Sequence, residues 1–414
     1  KGNPFYAIQL LKHLYEHNII QKKNGCWTLD WEKVNIHSIP GTLIDFILKR
    51  INILAQREKE VIAIGAVAGT SFSNTMLREI STEDNRFIDK CLKKAHQLQL
   101  IETRKPFFQH ISFVHNKIHD AFYNSIGDTK RKAIHEEIAG YYEKEESWNP
   151  KKLFFITHHY INSYNKEKTL EYAEKAGTAA RHKYAHDEAV RYFKIVKKIL
   201  EAKKEKRTQR WVEVNTQLVE IYLLNGRCDK AIKIVYNVLP FIKNKFTKAE
   251  YYCILATAFY RKGDFKKCEE FGRKGLSLLG EYLPVSKKTV LLGLCKELIV
   301  HGLHSLFSFF YPRKQKIRMR KYELICKFYS VLLWMYVLSD LMKFLRSMLR
   351  MLHLAESKIG KSKQLAYSYH GYAGLCVSIP MFKRGLMYID KALTLRKELN
   401  DSYGIAESLQ LYGF

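Results

Sequence analysis

Helix pairs recur along the last two thirds of this chain with a small residue and an aromatic at fixed places. No other feature constrains the fold as strongly. The stretch Cys253-Ile254-Leu255-Ala256-Thr257-Ala258-Phe259-Tyr260-Arg261-Lys262-Gly263-Asp264-Phe265 aligns with Thr216-Gln217-Leu218-Val219-Glu220-Ile221-Tyr222-Leu223-Leu224-Asn225-Gly226-Arg227-Cys228. Leu255 stands over Leu218, Phe259 over Tyr222, and Gly263 over Gly226 at the expected turn between helices. The small residue of the following helix comes next, Cys268 over Ala231, a spacing of 37. The same frame fits Ala189 upstream, a spacing of 42, and Gly385 downstream. An apolar pattern of helical period interrupted by glycine predicts helix–turn–helix. Such a unit cannot bury its apolar face alone, so neighbours stack and present a curved surface. A chain built in this way binds or relays; it rarely carries chemistry.

The spacings are slightly longer than the ~34 residues of a tetratricopeptide repeat (TPR), which the units resemble in degenerate form. At 414 residues there is room for two or three domains. With 47% hydrophobic and 13% aromatic residues the chain can bury substantial cores. Eight cysteines are scattered without a CxxC pair, and Cys253, Cys268 and Cys326 fall on apolar helix positions, so reduced core cysteines are expected rather than disulfides or zinc. The net charge is +29, which favours acidic partners. The basic residues are nevertheless spread over the whole length. The densest run, Arg313 to Lys321, reads as a solvated linker opening a helix and lacks the interleaved aromatics of a single-strand binder. Nucleic acid is therefore open as a partner but not favoured. The longest apolar run, Val331 to Leu338, is far short of the ~20 residues of a spanning helix. No membrane association is expected, and the cytoplasm is the default location.

The front third reads differently. An opening helix carries Ile8, Leu11, Leu14 and Tyr15, and the Asn24-Gly25 dipeptide predicts a small hairpin near residues 25–32. A helix with Leu43, Phe46, Ile47 and Ile51 on one face follows, then one carrying Val61, Ile62, Ile64, Val67 and Ala68. Ser73 or Asn74 can cap the next helix, and Ser81-Thr82-Glu83-Asp84 offers a capping box for a helix ending near Leu98. A second ribbon is expected within residues 100–114, with Lys105-Pro106 at its turn. Three helices and a two-stranded wing describe a winged helix. As a DNA reader it would place residues 83–98 in the major groove, presenting Asp84, Asn85, Arg86, Lys90, Lys93 and Lys94. That face is mixed in charge, and only Asn85 and Arg86 suit base edges, so an internal packing module is the favoured use.

Several motifs, taken in order, resemble those of the STAND-type signalling ATPases of the AAA+ class. Gly2-Asn3-Pro4-Phe5-Tyr6-Ala7-Ile8 is similar to their GxP element, and Gly25 to Asp30 to their short hairpin. Ile39-Pro40-Gly41-Thr42 opens a helix like their next one, and Phe113-Val114-His115-Asn116-Lys117-Ile118-His119-Asp120-Ala121-Phe122-Tyr123 resembles the signature that closes their winged helix. Phe271 to Pro284, ending Leu278-Leu279-Gly280-Glu281-Tyr282-Leu283-Pro284, matches a recurring segment of their repeats. The resemblance implies that Gly2, Asn3 and Pro4 lie against a nucleotide, ATP or ADP, and that His115 reaches the β-phosphate of ADP. Asn116 stands where the family has aspartate. A histidine at a helix start would add a donor beside free backbone N–H groups.

No GxxxxGK[ST] phosphate loop occurs in the sequence, and no HExxH or serine–histidine nucleophile pattern does. The adjacent His158 and His159 point ~100° apart on a helix and are expected to be structural. The run Phe307 to Pro312 is expected as core at a helix end, with an exposed partner-docking patch as the alternative. The chain is thus expected to be all-α with small β-ribbons only: residues 1–36 the end of a helical lid, 37–145 a winged-helix domain, and 150–414 TPR-like repeats, incomplete at the C-terminal side. Both ends read as cut from a longer polypeptide that would hold the phosphate loop. The leading functional expectation is the regulatory segment of a STAND-like ATPase, with a protein partner or ligand on the repeats and self-association on activation left open. The alternatives are a stand-alone interaction scaffold and a DNA-binding regulator.

Overall fold

The computed structural model describes residues 18–23, 26–30, 43–104, 110–145, 150–203, 205, 208–306 and 316–412, with a few positions between 7 and 15. Gly2, Asn3, Pro4 and the aromatic run 307–312 lie outside the described residues. The chain divides into two compact units, Lys1–Ile199 and Leu200–Phe414. All described strand pairs are antiparallel.

In the first unit β1 (Ile20–Lys23) pairs with β2 (Cys26–Leu29), Lys23 opposite Cys26. The first ribbon therefore begins five residues ahead of the expected span, with one strand ending at Lys23 and the next starting at Cys26. The alternation in β2 does not translate into burial, since all four residues are exposed and Trp27 meets Tyr15 edge-on.

Helices α1 (Leu43–Asn52) and α2 (Gln56–Ala68) are followed by β3 (Ser71–Ser73), α3 (Asn74–Ile80) and α4 (Asn85–Gln97). Then come β4 (Ile101–Arg104), β5 (His110–Phe113) and α5 (Asn116–Ser125). The sheet order is β3–β5–β4, so β3 is a third strand that the sequence reading lacks. Three residues are too few to show a period, and only Phe72 among them is buried. Its ring occupies the space where a Cβ on Gly65 would lie 2.5 Å away, so the glycine in α2 admits the strand. The expected capping box at Ser81 is also replaced: Asp84 is the cap of α4, and its carboxylate accepts the Phe87 N–H at 2.9 Å. Val61, Ile62, Met76, Leu77, Ile88, Leu92, Ile111, Phe113, Ile118 and Phe122 form one core beneath these elements.

Helices α6 (Asp128–Lys144), α7 (Pro150–Ile161), α8 (Lys166–His182) and α9 (His186–Ala202) complete the unit, which ends in the last turn of α9. Gly177 of α8 lets the Phe193 ring of α9 approach closely.

The second unit contains the helix pairs α10 (Gln209–Leu224) with α11 (Cys228–Val238) and α12 (Lys245–Arg261) with α13 (Phe265–Leu278). After an additional helix, α14 (Lys287–Leu306), come α15 (Lys316–Ser339) with α16 (Leu341–Leu354), α17 (Lys363–Ser378) with α18 (Phe382–Glu398), and α19 (Ser402–Tyr412). The register read from the sequence is the one observed: Ala231, Cys268 and Gly385 are buried, and Gly226 and Gly263 take positive φ (68° and 76°) at the turns. Phe259 stacks on Phe271 with ring centroids 5.5 Å apart. The unit is a run of paired TPR-like helices.

Two features depart from a regular array. Helix α14 lies between the second and third pairs and packs on α16. The third pair also breaks the small-residue rule. The residue four places after the cap is Ala231, Cys268 and Gly385 in the other pairs, after caps Arg227, Asp264 and Met381, but Phe344 after Asp340.

Candidate functional site

His115 is the N-cap of α5, and its Nδ1 accepts the Lys117 N–H at 3.1 Å. The Ile118 and His119 N–H groups donate to the His115 carbonyl at 2.9 and 3.3 Å. The expectation of free backbone donors beside this histidine is corrected for Lys117, Ile118 and His119, whose N–H groups are accepted by the ring and carbonyl of His115. The His115 ring is half-buried.

The face of α4 is only in part the one expected. Asp84 is engaged as the cap, Lys94 bonds Glu58 at 2.6 Å and Asp89 is held by Arg78 at 2.5 Å. Asn85, Arg86, Lys90 and Lys93 are exposed. Arg86, Lys90 and Lys93 border a shallow depression of about 570 Å³ with Gln97.

Larger and more apolar is a groove of about 920 Å³ in the second unit, formed by α15, α16, α17 and α19. Trp334 and Val337 of α15 make one wall and Leu341, Phe344 and Leu345 of α16 another. Gly371 and Gly374 are two small positions on α17, so its backbone forms part of the floor. Trp334 donates from its indole to Tyr367 Oη at 3.1 Å, which fixes the ring while more than half of it stays exposed. Glu407 and Gln410 of α19 and His370 of α17 supply polar groups, and burial lowers the His370 pKa. An apolar trough with a few placed polar groups has the make-up of a recognition site. The sequence analysis does not single out this groove; the signal that could have pointed to it is Phe344, a large residue where the repeat asks for a small one.

The Leu279-Gly280-Glu281-Tyr282 motif has a structural role. Gly280 takes φ 72° after α13, and the Glu281 side chain is then largely shielded from water. Its carboxylate accepts Arg350 Nε and Nη2 at 2.9 and 3.0 Å and Tyr329 Oη–H at 3.0 Å. Arg350 also faces Glu297 of α14 at 3.5 Å, and Arg346 donates to the Tyr282 carbonyl at 3.2 Å. Burial opposes the charge on Glu281, yet the Arg350 hydrogen bonds hold its pKa below the ordinary value; Glu297, less well partnered, is raised by burial. This network ties α14 and the loop before it to α16.

In the first unit His135 of α6 and His159 of α7 are fully buried with their Nδ1 atoms 2.8 Å apart. One Nδ1–H must donate to the other. Tyr123 Oη lies 3.2 Å from His135 Nε2, and His119 Nε2 reaches the Ala66 carbonyl at 3.0 Å. Burial first, then the neighbouring His158, pushes His135 down to about 4; burial and His135 push His159 down to about 2. The structural assignment of His159 holds, and its partner is His135 rather than the adjacent His158. The described residues contain no metal-binding cluster of three or more such side chains, all eight cysteines are free, and none of the described helices is long and apolar enough to cross a membrane.

These features define a helical-repeat protein with an apolar groove in its second unit. No protein-family profile and no curated protein matches the chain. Among solved structures it is similar to a signal transduction ATPase with numerous domains (STAND) bearing a tetratricopeptide-repeat sensor, from Pyrococcus horikoshii, at 15% identity and a TM-score of 0.41. That alignment takes in 91% of this chain, which spans about half (50%) of the other. A Rap protein complexed with competence and sporulation factor aligns over 86% of this chain and 99% of its own, at 14% identity and a TM-score of 0.29.

Proposed function

We propose that the chain is a partner-binding repeat scaffold serving as the regulatory segment of a STAND-like signalling ATPase. In this reading the groove of α15, α16, α17 and α19 takes an apolar side chain of a protein partner. The first unit acts as a winged helix, and Gly2, Asn3, Pro4 and His115 contact ATP or ADP. The groove is the observation that carries the scaffold role; the ordered sequence motifs support the STAND assignment.

The groove can be filled without disturbing the fold. A Cβ on Gly374 would meet only Leu411 Cδ2, at 3.8 Å, and leucine is the better helix former. Peptides selected on the chain from a randomised display library should bind through one large apolar anchor. Gly374→Leu should weaken them at least ~10-fold, the usual loss when a central anchor pocket is removed. Calorimetric titration of both proteins checks this, with equal affinities counting against the reading. A DNA-reading role for α4 rests on exposed Asn85, Arg86, Lys90 and Lys93, and Arg86→Ala with Lys93→Ala would test it by loss of salt-sensitive retention on duplex DNA.

A further inference from the structure

We propose that the outer face of α14 docks an acidic amphipathic helix of a protein partner. Helix α14 turns Val290, Leu294 and Glu297 inward. Its other side carries Leu291, Leu292, Leu298, Ile299 and Leu303, each more than half exposed, with exposed Cys295 among them. Single exposed aliphatics are ordinary; five large ones on one helix mark an interaction surface.

Positions 292, 295, 299 and 303 advance in steps of three and four, the spacing of a seam that receives another helix. The stripe spans roughly 17 Å at the helical rise of ~1.5 Å per residue. Charge selects the occupant. The exposed charged residues among the described side chains of α14 are Lys287, Lys288 and Lys296, while Glu297 is turned inward toward Arg350. A second copy would set lysine against lysine across the seam, and the whole chain carries +29. A helix with leucine at the seam and glutamate beside it satisfies both the apolar stripe and the flanking lysines. None of the groove-lining residues comes from α14, so this surface is independent of the function proposed above.

The probe is a synthetic three-heptad peptide with leucine at the seam and glutamate at the flanks, fluorescently labelled and titrated with the 414-residue chain. A control peptide carries lysine in place of glutamate. The glutamate peptide should bind and the lysine peptide should not. The double variant Leu292→Asn, Ile299→Asn should lose at least ~10-fold in affinity with an unchanged circular dichroism melt, because both side chains are exposed. Gly374→Leu should leave binding intact, which separates this surface from the groove. Equal binding by both peptides or by the double variant would overturn the proposal. So would concentration-dependent dimers that the double variant abolishes, or binding to phosphatidylserine vesicles without binding to the peptide.

Discussion

Replacing Glu281 by alanine should destabilise the second unit by about 3–5 kcal/mol, the loss typical when one partner of a buried ion pair is removed. Glu281 and Arg350 are largely shielded from water, and the guanidinium makes two parallel hydrogen bonds to the carboxylate. Truncating Glu281 leaves the Arg350 charge facing Glu297 at 3.5 Å and leaves the Tyr329 hydroxyl without its acceptor. Urea unfolding should show the loss as a lower midpoint. The double variant Glu281→Leu, Arg350→Met should recover much of it, since apolar replacement of both partners removes the stranded charge. An unchanged midpoint for Glu281→Ala would mean the network is open to water.

Acid should weaken the first unit well before ordinary carboxylates titrate. His135 and His159 are neutral in the folded state, with pKa values depressed to about 4 and about 2, whereas an unfolded histidine titrates near 6.5. The unfolded chain therefore binds more protons between those values. The stability these histidines provide is fully present above pH ~6.5 and is lost as pH falls toward 4. Taking His135 alone, the loss amounts to roughly 3 kcal/mol by pH 4. Tyr123 of α5, Arg131 of α6 and His158 of α7 surround the pair, and the Arg131 and His158 charges reinforce the effect. Melting temperature followed from pH 7.5 to 4.5 should fall for the native chain and fall less for the double variant His135→Phe, His159→Leu. Parallel curves for the two proteins would contradict the assignment.

The repeat register was legible because it rests on local signals. Small residues at Ala231 and Cys268 permit close helix approach, and glycines at 226 and 263 supply positive φ. Helix α14 was not legible as an insertion, since its buried face of Val290, Leu294 and Glu297 has an ordinary helical period and its exposed face is equally apolar. Strand β3 was missed because its pairing with β5 is set by tertiary contact, through the space left by Gly65. The groove was missed because it depends on four helices meeting, and the large Phe344 at a small-residue position is the one local trace of it. The pairing of His135 with His159 joins residues 24 apart on different helices, which no periodicity reports. For His115 the sequence placed the residue at the helix start, but it could not show that the ring would turn back onto Lys117 N–H.

The most direct measurement of the scaffold claim is amide hydrogen exchange of the chain with and without a peptide selected on it. Protection should concentrate on the groove helices, at residues 330–345 of α15 and α16, 367–378 of α17 and 407–411 of α19. It should vanish with Gly374→Leu. Protection confined to residues 85–97 of α4, or spread evenly over the chain, would contradict recognition through the repeat groove.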